Sequence, residues 1–355
     1  MRVLFVFSGN FKAFPVSPFT HAQAESLRAR GIAVDYFPIR GKGWKNYLKN
    51  IGPLRRHLRV QRYDLIHAHY SLCGWVAVLA SLGRVPVVVS LMGDDAQGTF
   101  VAPGRIEWKS RIPILMTRLL QPFVRAVISK APDLARVVWR KGISHIIPNG
   151  VRLEQFQLIP GGCREALGLP PDRQYVLFLG NPDDPNKNVA LVREAVRLLN
   201  RPDVALLTPY PVKHEQVVQL LNSADVLALS SFGEGSPNVI KEAMACNCPI
   251  VSTPAGDAPW VLGNTSGCYV ARYEPADFAE KLRAALQFAR EQGRTRGRER
   301  LLELGLDAET VAWRIESVYR QVLKWPPVAA QPEAQTAQDA LNAHPSSQRL
   351  GRGDC

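Results

Sequence analysis

Cysteine is scarce in this 355-residue sequence: there are six, none in a C-x-x-C pair, and only Cys246 and Cys248 lie close together. A disulfide framework or a zinc site is therefore not expected, and reduced thiols fit better. No stretch approaches the roughly 18 consecutive apolar residues of a membrane span. The first apolar run, Val3 to Phe7, is too short for a signal-peptide core and meets Ser8-Gly9 at once. The expectation is a cytoplasmic protein that stays where it is made. Acidic residues are short in one half only. Residues 1–160 carry 23 Lys+Arg against 8 Asp+Glu, whereas the remainder carries 21 against 23. Solubility explains a net charge but not its segregation, so the basic half points to an anionic partner. Zinc-finger, RNP and helix-turn-helix signatures are all missing, which argues against nucleic acid. With 46% hydrophobic and 21% charged residues, the chain is neither disordered throughout nor collagen-like.

What is present is a rhythm. VLFVF, IAVDYFPI, DLIHAHY and VPVVVSLMG read as buried strands, and THAQAESLRARG and GWVAVLASLG as helices between them. RAVISKAPDLARVVWRKG repeats the theme and HIIPNGV closes the half. The rhythm restarts with QYVLFLG, VALVREAVRLLN, VALLTPY, HEQVVQLLNSA, DVLALSS, NVIKEAMAC, PIVST and FAEKLRAALQFAREQ. Strands alternating with helices predict an α/β chain with two doubly wound, Rossmann-like domains. The boundaries fall at 1–162 and 163–307, with the changeover near Gly161-Gly162. A last helix is predicted over 308–324, and residues 325–355 read as a disordered Ala/Gln/Pro/Ser-rich tail.

Ser230 to Thr253 carries the clearest chemistry. It starts at the carboxyl end of DVLALS, where open α/β sheets place ligands. Gly233 and Gly235 flank Glu234 and allow close backbone approach. Ser236-Pro237 reads as a helix N-cap followed by proline at the first helical position. The helix start, with its unpaired N–H groups and partial positive charge, suits a diphosphate. Glu242 shares a helix face with Asn238, four residues earlier. Two carboxylates thus bracket an anion site, a layout that matches ribose, diphosphate and sugar in a nucleotide sugar. Two glutamates at this spacing alone also fit an ordinary surface loop and helix.

The stretch resembles the E-x7-E motif of the retaining glycosyltransferases of family 4, which have the GT-B fold. IIPNGV (146–151), FLGNPDDPNKN (178–188), NSADVLALSS, PIVSTPAGDAPWVL, HAHY (67–70) and VSPFTHAQAESLRARG (16–31) are similar to family segments in the family's order, over roughly residues 1–324. The resemblance implies two Rossmann-like domains facing each other across a cleft, an amino domain for the acceptor, a carboxyl domain for the donor, and a last helix packing back on the amino domain. It implies Glu234 on the donor sugar hydroxyls, Glu242 on the ribose, and the backbone around Gly235, Ser236, Pro237, Asn238 and Val239 on sugar and phosphate; Pro237 has no N–H to give. Lys187 matches the lysine of the family's basic pair, but Asn181 stands where the arginine is expected, and Arg193 is a weak substitute. Met92 stands where many members have histidine. Asp94 and Asp95 remain beside it, as candidates for an acceptor hydroxyl or a base, with Ser17 and His69 on the acceptor side. His67 reads equally as a buried, satisfied histidine. The catalytic set implied is Glu234, Lys187 and Asp94, with no metal and no cofactor beyond the nucleotide-sugar substrate.

The implied reaction is retaining transfer of a hexosyl-type sugar to a glycan or polyprenyl-diphosphate-linked acceptor, in bacterial surface polysaccharide biosynthesis. A GT-B nucleotide-sugar epimerase and a non-catalytic sugar-nucleotide-binding protein are the alternatives. Residues 40–62 contain eight Lys/Arg and no acid, with apolar residues at helical spacing broken at Gly52-Pro53. That basic amphipathic pattern predicts peripheral contact with an anionic membrane at its inner face, and RIEWKSRIPILMTRLLQPFVR is a second cationic stretch that can join it.

Overall fold

The computed structural model describes residues 1–10 and 16–329. The chain forms two compact units. The amino unit comprises residues 1–99, 106–150 and the chain from Ala308 onward; the carboxyl unit comprises 100–105 and 151–307. The changeover lies at Gly150-Val151, ahead of the Gly161-Gly162 pair. Val151 N–H donates to Leu306 O (2.9 Å), and Phe156 is buried in the carboxyl unit's core. Most of the tail read as disordered lies outside the described residues.

In the amino unit six strands are parallel: β1 (Arg2–Ser8), β2 (Ala33–Ile39), β3 (Leu65–His69), β4 (Val87–Ser90), β7 (Ala126–Ser129) and β8 (Ser144–Ile146), in the order β2-β1-β3-β4-β7-β8. A short ribbon, β5 (Phe100–Ala102) and β6 (Arg105–Ile106), intervenes in sequence. The helices are α1 (Pro18–Ala29), α2 (Trp44–Leu48), α3 (Ile51–Val60), α4 (Ser71–Ser81), α5 (Asp94–Gln97), α6 (Arg111–Leu120) and α7 (Pro132–Ala135). Residues Val3 to Val6 of β1 are buried without exception, because helices cover both faces of the sheet. One face holds Leu4, Val6, Ile66 and Val89, and the other Val3, Phe5, Leu65 and Val88. Two neighbouring elements differ from expectation. Gly52-Pro53 does not break a helix but sits in the first turn of α3, where a missing N–H costs nothing; the break is between α2 and α3. The apolar positions of α3 are also turned inward: Leu54 is buried, and Ile51 and Leu58 pack on the core.

The carboxyl unit repeats the plan with β9 (Gln174–Leu177), β10 (Val204–Leu207), β11 (Val226–Leu229), β12 (Ile250–Ser252) and β13 (Cys268–Val270), all parallel, in the order β10-β9-β11-β12-β13. Its helices are α8 (Val189–Leu199), α9 (His214–Ser223), α10 (Asn238–Ala245), α11 (Ala258–Leu262), α12 (Pro275–Gln292) and α13 (Gly297–Glu303). The final helix, α14 (Ala308–Leu323), returns to the amino unit. It buries Val311, Ile315, Val318 and Tyr319 against Val3, Phe5 and Leu27, and Glu316 pairs with Arg30 at 2.8 Å.

In each sheet one gap separates strands whose connections leave in opposite directions. Chain crossing at such a gap leaves a crevice at the carboxyl ends of the strands. The gaps are β1/β3 in the amino unit and β9/β11 in the carboxyl unit.

Ile315 is wholly buried. Ile315→Ala is expected to cost about 2–4 kcal/mol, read as a lower urea midpoint in the amino unit's transition with an unchanged slope.

Candidate functional site

At the β9/β11 gap the loop after β9 carries Lys187 and the loop after β11 carries Glu234. Lys187 Nζ donates to Glu234 Oε1 at 2.5 Å. The contact rests on a polar clasp. Asp184 accepts from the backbone N–H of Asn186 (3.0 Å), capping a single 3-10 turn over Pro185–Lys187. Asn186 Nδ2 donates to Gly233 O (2.9 Å), Gly233 N–H donates to Asn186 Oδ1 (3.1 Å), and Phe232 N–H donates to Asn186 O (2.9 Å). Ser230 Oγ donates to Lys187 O and Tyr273 Oη to Phe232 O. Gly233 is required here, since a Cβ would lie 2.1 Å from the Phe100 ring.

Helix α10 begins at Asn238, with Pro237 as the capping residue and no side-chain cap. The expectation of Ser236 as N-cap is thus corrected. Its hydroxyl turns instead to Asp257 Oδ2 (2.7 Å). Lys241, one turn into the helix, donates to the same oxygen at 3.1 Å and to Ser236 Oγ. All three side chains are buried. Burial raises the Asp257 carboxyl above its ordinary range, and Lys241 and Ser236 pull it back. This ionic knot lies under the Gly235-Ser236 turn. A Cβ on Gly256 would come within 2.5 Å of Gly235 O, at a φ of +60° that glycine accepts freely. Glu242, four residues beyond Asn238, accepts from His214 Nε2 at 2.9 Å, and His214 rests edge-on against Phe156.

Around this corner stand Lys187, Glu234, Gly235, Ser236, Pro237, Asn238, Val239 and Glu242. Asn181 lies in the β9 loop, where its Oδ1 accepts from Asp183 N–H (3.1 Å). Arg193 is exposed on α8. Asn186, Lys241, Asp257 and His214 were not legible as site residues. Only the S-P-N-x-x-K spacing hinted that a lysine points back one helical turn.

At the β1/β3 gap the amino unit holds a cavity of about 500 Å3. Ser17, His69 and Asp94 line it, with Tyr47, Tyr70 and Lys42. Ser17 donates to Thr20 at 2.8 Å. Tyr70 sits at φ +92°, a strained conformation for a non-glycine residue, which turns the chain at the end of β3. Neither His69 ring nitrogen has a hydrogen-bond partner among the described residues. Burial pushes its pKa down to about 3, with Lys130 adding to the shift. His67 is a satisfied core residue: its ring nitrogens meet Tyr319 Oη at 2.5 Å and Ser90 Oγ at 2.8 Å. Asp95 is buried away from the cavity and accepts from the backbone N–H groups of Ser71, Met92 and Gly93. Burial raises its carboxyl to about 6. Its geometry is that of a loop anchor. No group of three or more His, Cys, Asp or Glu suited to a metal ion occurs among the described residues.

Residues 13–155 match the family model described as Glycosyltransferase Family 4, and residues 206–287 that described as Glycosyl transferases group 1. Among curated relatives, D-inositol 3-phosphate glycosyltransferase 2 of Catenulispora acidiphila is 29% identical over 269 residues, 61% of each chain. The putative teichuronic acid biosynthesis glycosyltransferase TuaC of Bacillus subtilis is 26% identical over 228 residues, 56% of this chain and 55% of that protein. The chain thus spans about three fifths of the length of the curated relatives it matches. Among solved structures, sucrose-phosphate synthase from Thermosynechococcus elongatus superposes with a TM-score of 0.73 at 17% identity, covering 91% of this chain and 99% of that one. Anabaena HepE in complex with UDP gives 0.64 at 16% identity with the same coverage. The fold is that of these GT-B structures.

Two outcomes test the packing of the two sites. Lys241→Met leaves Asp257 buried without its cation and is expected to cost about 3–5 kcal/mol; Lys241→Met with Asp257→Leu should recover much of this in a urea titration. His69 is neutral in the fold but protonates in the unfolded chain below pH 6.5. The stability it contributes is complete above that pH and drains away as the pH falls toward 3. At pH 5 the loss is about 2 kcal/mol. Asp95 acts in the opposite sense between pH 3.8 and 6. The difference in melting temperature between the native chain and His69→Gln cancels that contribution, and should shrink on acidification.

Proposed function

The chain belongs to the group 1, family 4 glycosyltransferases, and we propose that it transfers a sugar from a nucleotide-sugar donor held by the carboxyl unit to an acceptor held by the amino unit. The observation that carries this reading is the Lys187–Glu234 pair at the β9/β11 gap, set beside the start of α10. Lys187 gives one N–H to Glu234; its two others serve a diphosphate. The N–H groups at the α10 start add partial positive charge to the same anion. Glu234 accepts hydrogen bonds from the sugar hydroxyls, and Glu242, already oriented by His214, accepts one from the ribose. A diphosphate here also fits the ligands of Anabaena HepE, a structure of similar fold solved in complex with UDP and with UDP-glucose.

Retention of configuration belongs to this reading. In it the departing diphosphate assists attack from the same face, and the protein positions the reactants and stabilises leaving-group charge. Asn181 cannot supply the second cation of the family pair, so Lys187 and the α10 start carry that work. No metal and no further cofactor is required. Asp94, with Ser17 and His69 in the amino unit's cavity, receives the acceptor hydroxyl. The acceptor is a glycan or a polyprenyl-diphosphate-linked sugar of bacterial surface polysaccharide, and the protein works in the cytoplasm at the inner membrane face. Residues 40–62 contribute exposed cations to that contact, Lys42, Lys45, Lys49, Arg56, Arg59 and Arg62 among them.

Lys187→Ala should lower kcat by about one to three powers of ten, measured as release of the nucleoside diphosphate in the presence of a lipid-phosphate acceptor extract. Near-normal turnover would remove Lys187 from the reaction. Product that carries the donor's sugar supports transfer, whereas isomerised donor formed without acceptor points to an epimerase and binding without turnover to a sugar-nucleotide-binding protein.

A further inference from the structure

The most conspicuous surface outside both sites is the outer face of α6. Ile112, Leu115 and Leu119 recur at intervals of three and four residues on α6 and so share one face, and Trp108 and Phe123 extend the run at either end, on the single 3-10 turns Trp108–Ser110 and Gln121–Phe123 that flank the helix. Each is between 52 and 71% exposed. The inner side of α6 is separately satisfied: Thr117 and Leu120 are buried, Ile114 packs on the core, and Met116 O accepts from Trp75 Nε1. The stripe is therefore not a misplaced core. It also continues sideways. Trp139, 58% exposed, is fixed beside it by a bond from its Nε1 to Arg118 O at 3.0 Å. Phe123 contacts Trp75 and lines a cavity of about 570 Å3 that it shares with Leu79 and Leu82, with Arg125 and Arg140 in the wall. Isolated exposed apolar residues need no explanation, but a contiguous set of this kind marks a docking surface.

The charge around the stripe says what docks. Residues 108–125 contain Lys109, Arg111, Arg118 and Arg125 and no Asp or Glu, and all four cations are exposed. Aromatic and aliphatic side chains on one face, rimmed by cations, fit a helix lying in the headgroup region of an anionic bilayer. No helix among the described residues is long and apolar enough to cross a membrane, so attachment through this face is peripheral. We propose that the α6 ridge, with the adjoining Arg125/Arg140 groove, is the apolar anchor by which the amino unit docks on an anionic phospholipid surface. This rests on and deepens the membrane contact read for residues 40–62 and for the second cationic stretch at 105–125, by locating in the latter a surface that has both anchor and charge. Its failure leaves the transfer reaction untouched, because the test reads binding alone.

The full chain should be centrifuged with vesicles of phosphatidylcholine alone and of an equimolar phosphatidylglycerol–phosphatidylcholine mixture, at low and high salt. Sedimentation with the mixed vesicles, weakened by salt and weak on phosphatidylcholine, is expected. Leu115→Gln with Leu119→Gln should lower the partition coefficient by about tenfold or more. Should that variant melt early, Lys109→Glu with Arg118→Glu alters only exposed side chains and should also lower it. No sedimentation with the mixed vesicles, equal binding to neutral ones, or unchanged binding of the variants overturns the proposal. So does a dimer in analytical ultracentrifugation that the leucine variant dissolves while vesicle binding is absent, since the ridge then belongs to a second copy.

Discussion

The carboxyl unit's site depends on where two adjacent parallel strands release the chain. Strands β9 and β11 are neighbours, but the loops after them depart to opposite sides, so a cation from one and a carboxylate from the other meet above the sheet. The 2.5 Å Lys187–Glu234 contact follows from that topology. It persists because Asn186 ties the two loops together through its side chain and its backbone carbonyl at once. A loop lysine free to rotate would give up side-chain entropy on meeting an anion; one already held by a carboxylate has given up most of it beforehand.

Beneath this corner the protein tolerates an expensive arrangement. Lys241 and Asp257 are both nearly inaccessible to water, and taking two charges out of solvent is repaid only when geometry and hydrogen bonding are good. Here a single carboxylate oxygen serves both Lys241 and Ser236. A well-packed apolar pair often holds a fold equally well, but it would not tie Ser236 and the turn that carries it to Asp257. The knot therefore makes best sense as a positioning device. His214 holds Glu242 in a comparable way, by occupying its Oε1 at 2.9 Å.

The strands and most helices were legible because their causes are local. VLFVF and DVLALS are apolar on successive residues since both sheet faces are covered, and proline, glycine and charge mark the turns. Glu234, Glu242 and Lys187 were marked out by the resemblance of their segments to the family's, since two glutamates at that spacing alone also fit an ordinary loop and helix. Asp257 was not, because it reaches Ser236 from a different loop and its meaning arises only when β11 and β12 pair. His69 and Asp95 show the converse: both were visible as polar residues at strand ends, but the sequence could not say that one faces a cavity while the other turns back to hold three backbone N–H groups.

The two basic amphipathic segments give the sharper lesson. α3 and α6 have similar patterns, apolar at helical spacing with cations between, and periodicity alone cannot say which way a stripe faces. In α3 the stripe goes inward, because Leu54 and its neighbours are needed to cover one face of the sheet. In α6 the inward side is filled by other residues, Ile114, Thr117 and Leu120, so the stripe from Trp108 to Phe123 has nothing left to cover. Retaining five large apolar side chains in water, without an acid among them, carries a solubility cost that fold stability does not require. The segregation of charge into the first half of the sequence then has a structural counterpart, since these cations stand beside exposed apolar groups, the combination on which the proposed docking to an anionic, partly apolar surface rests.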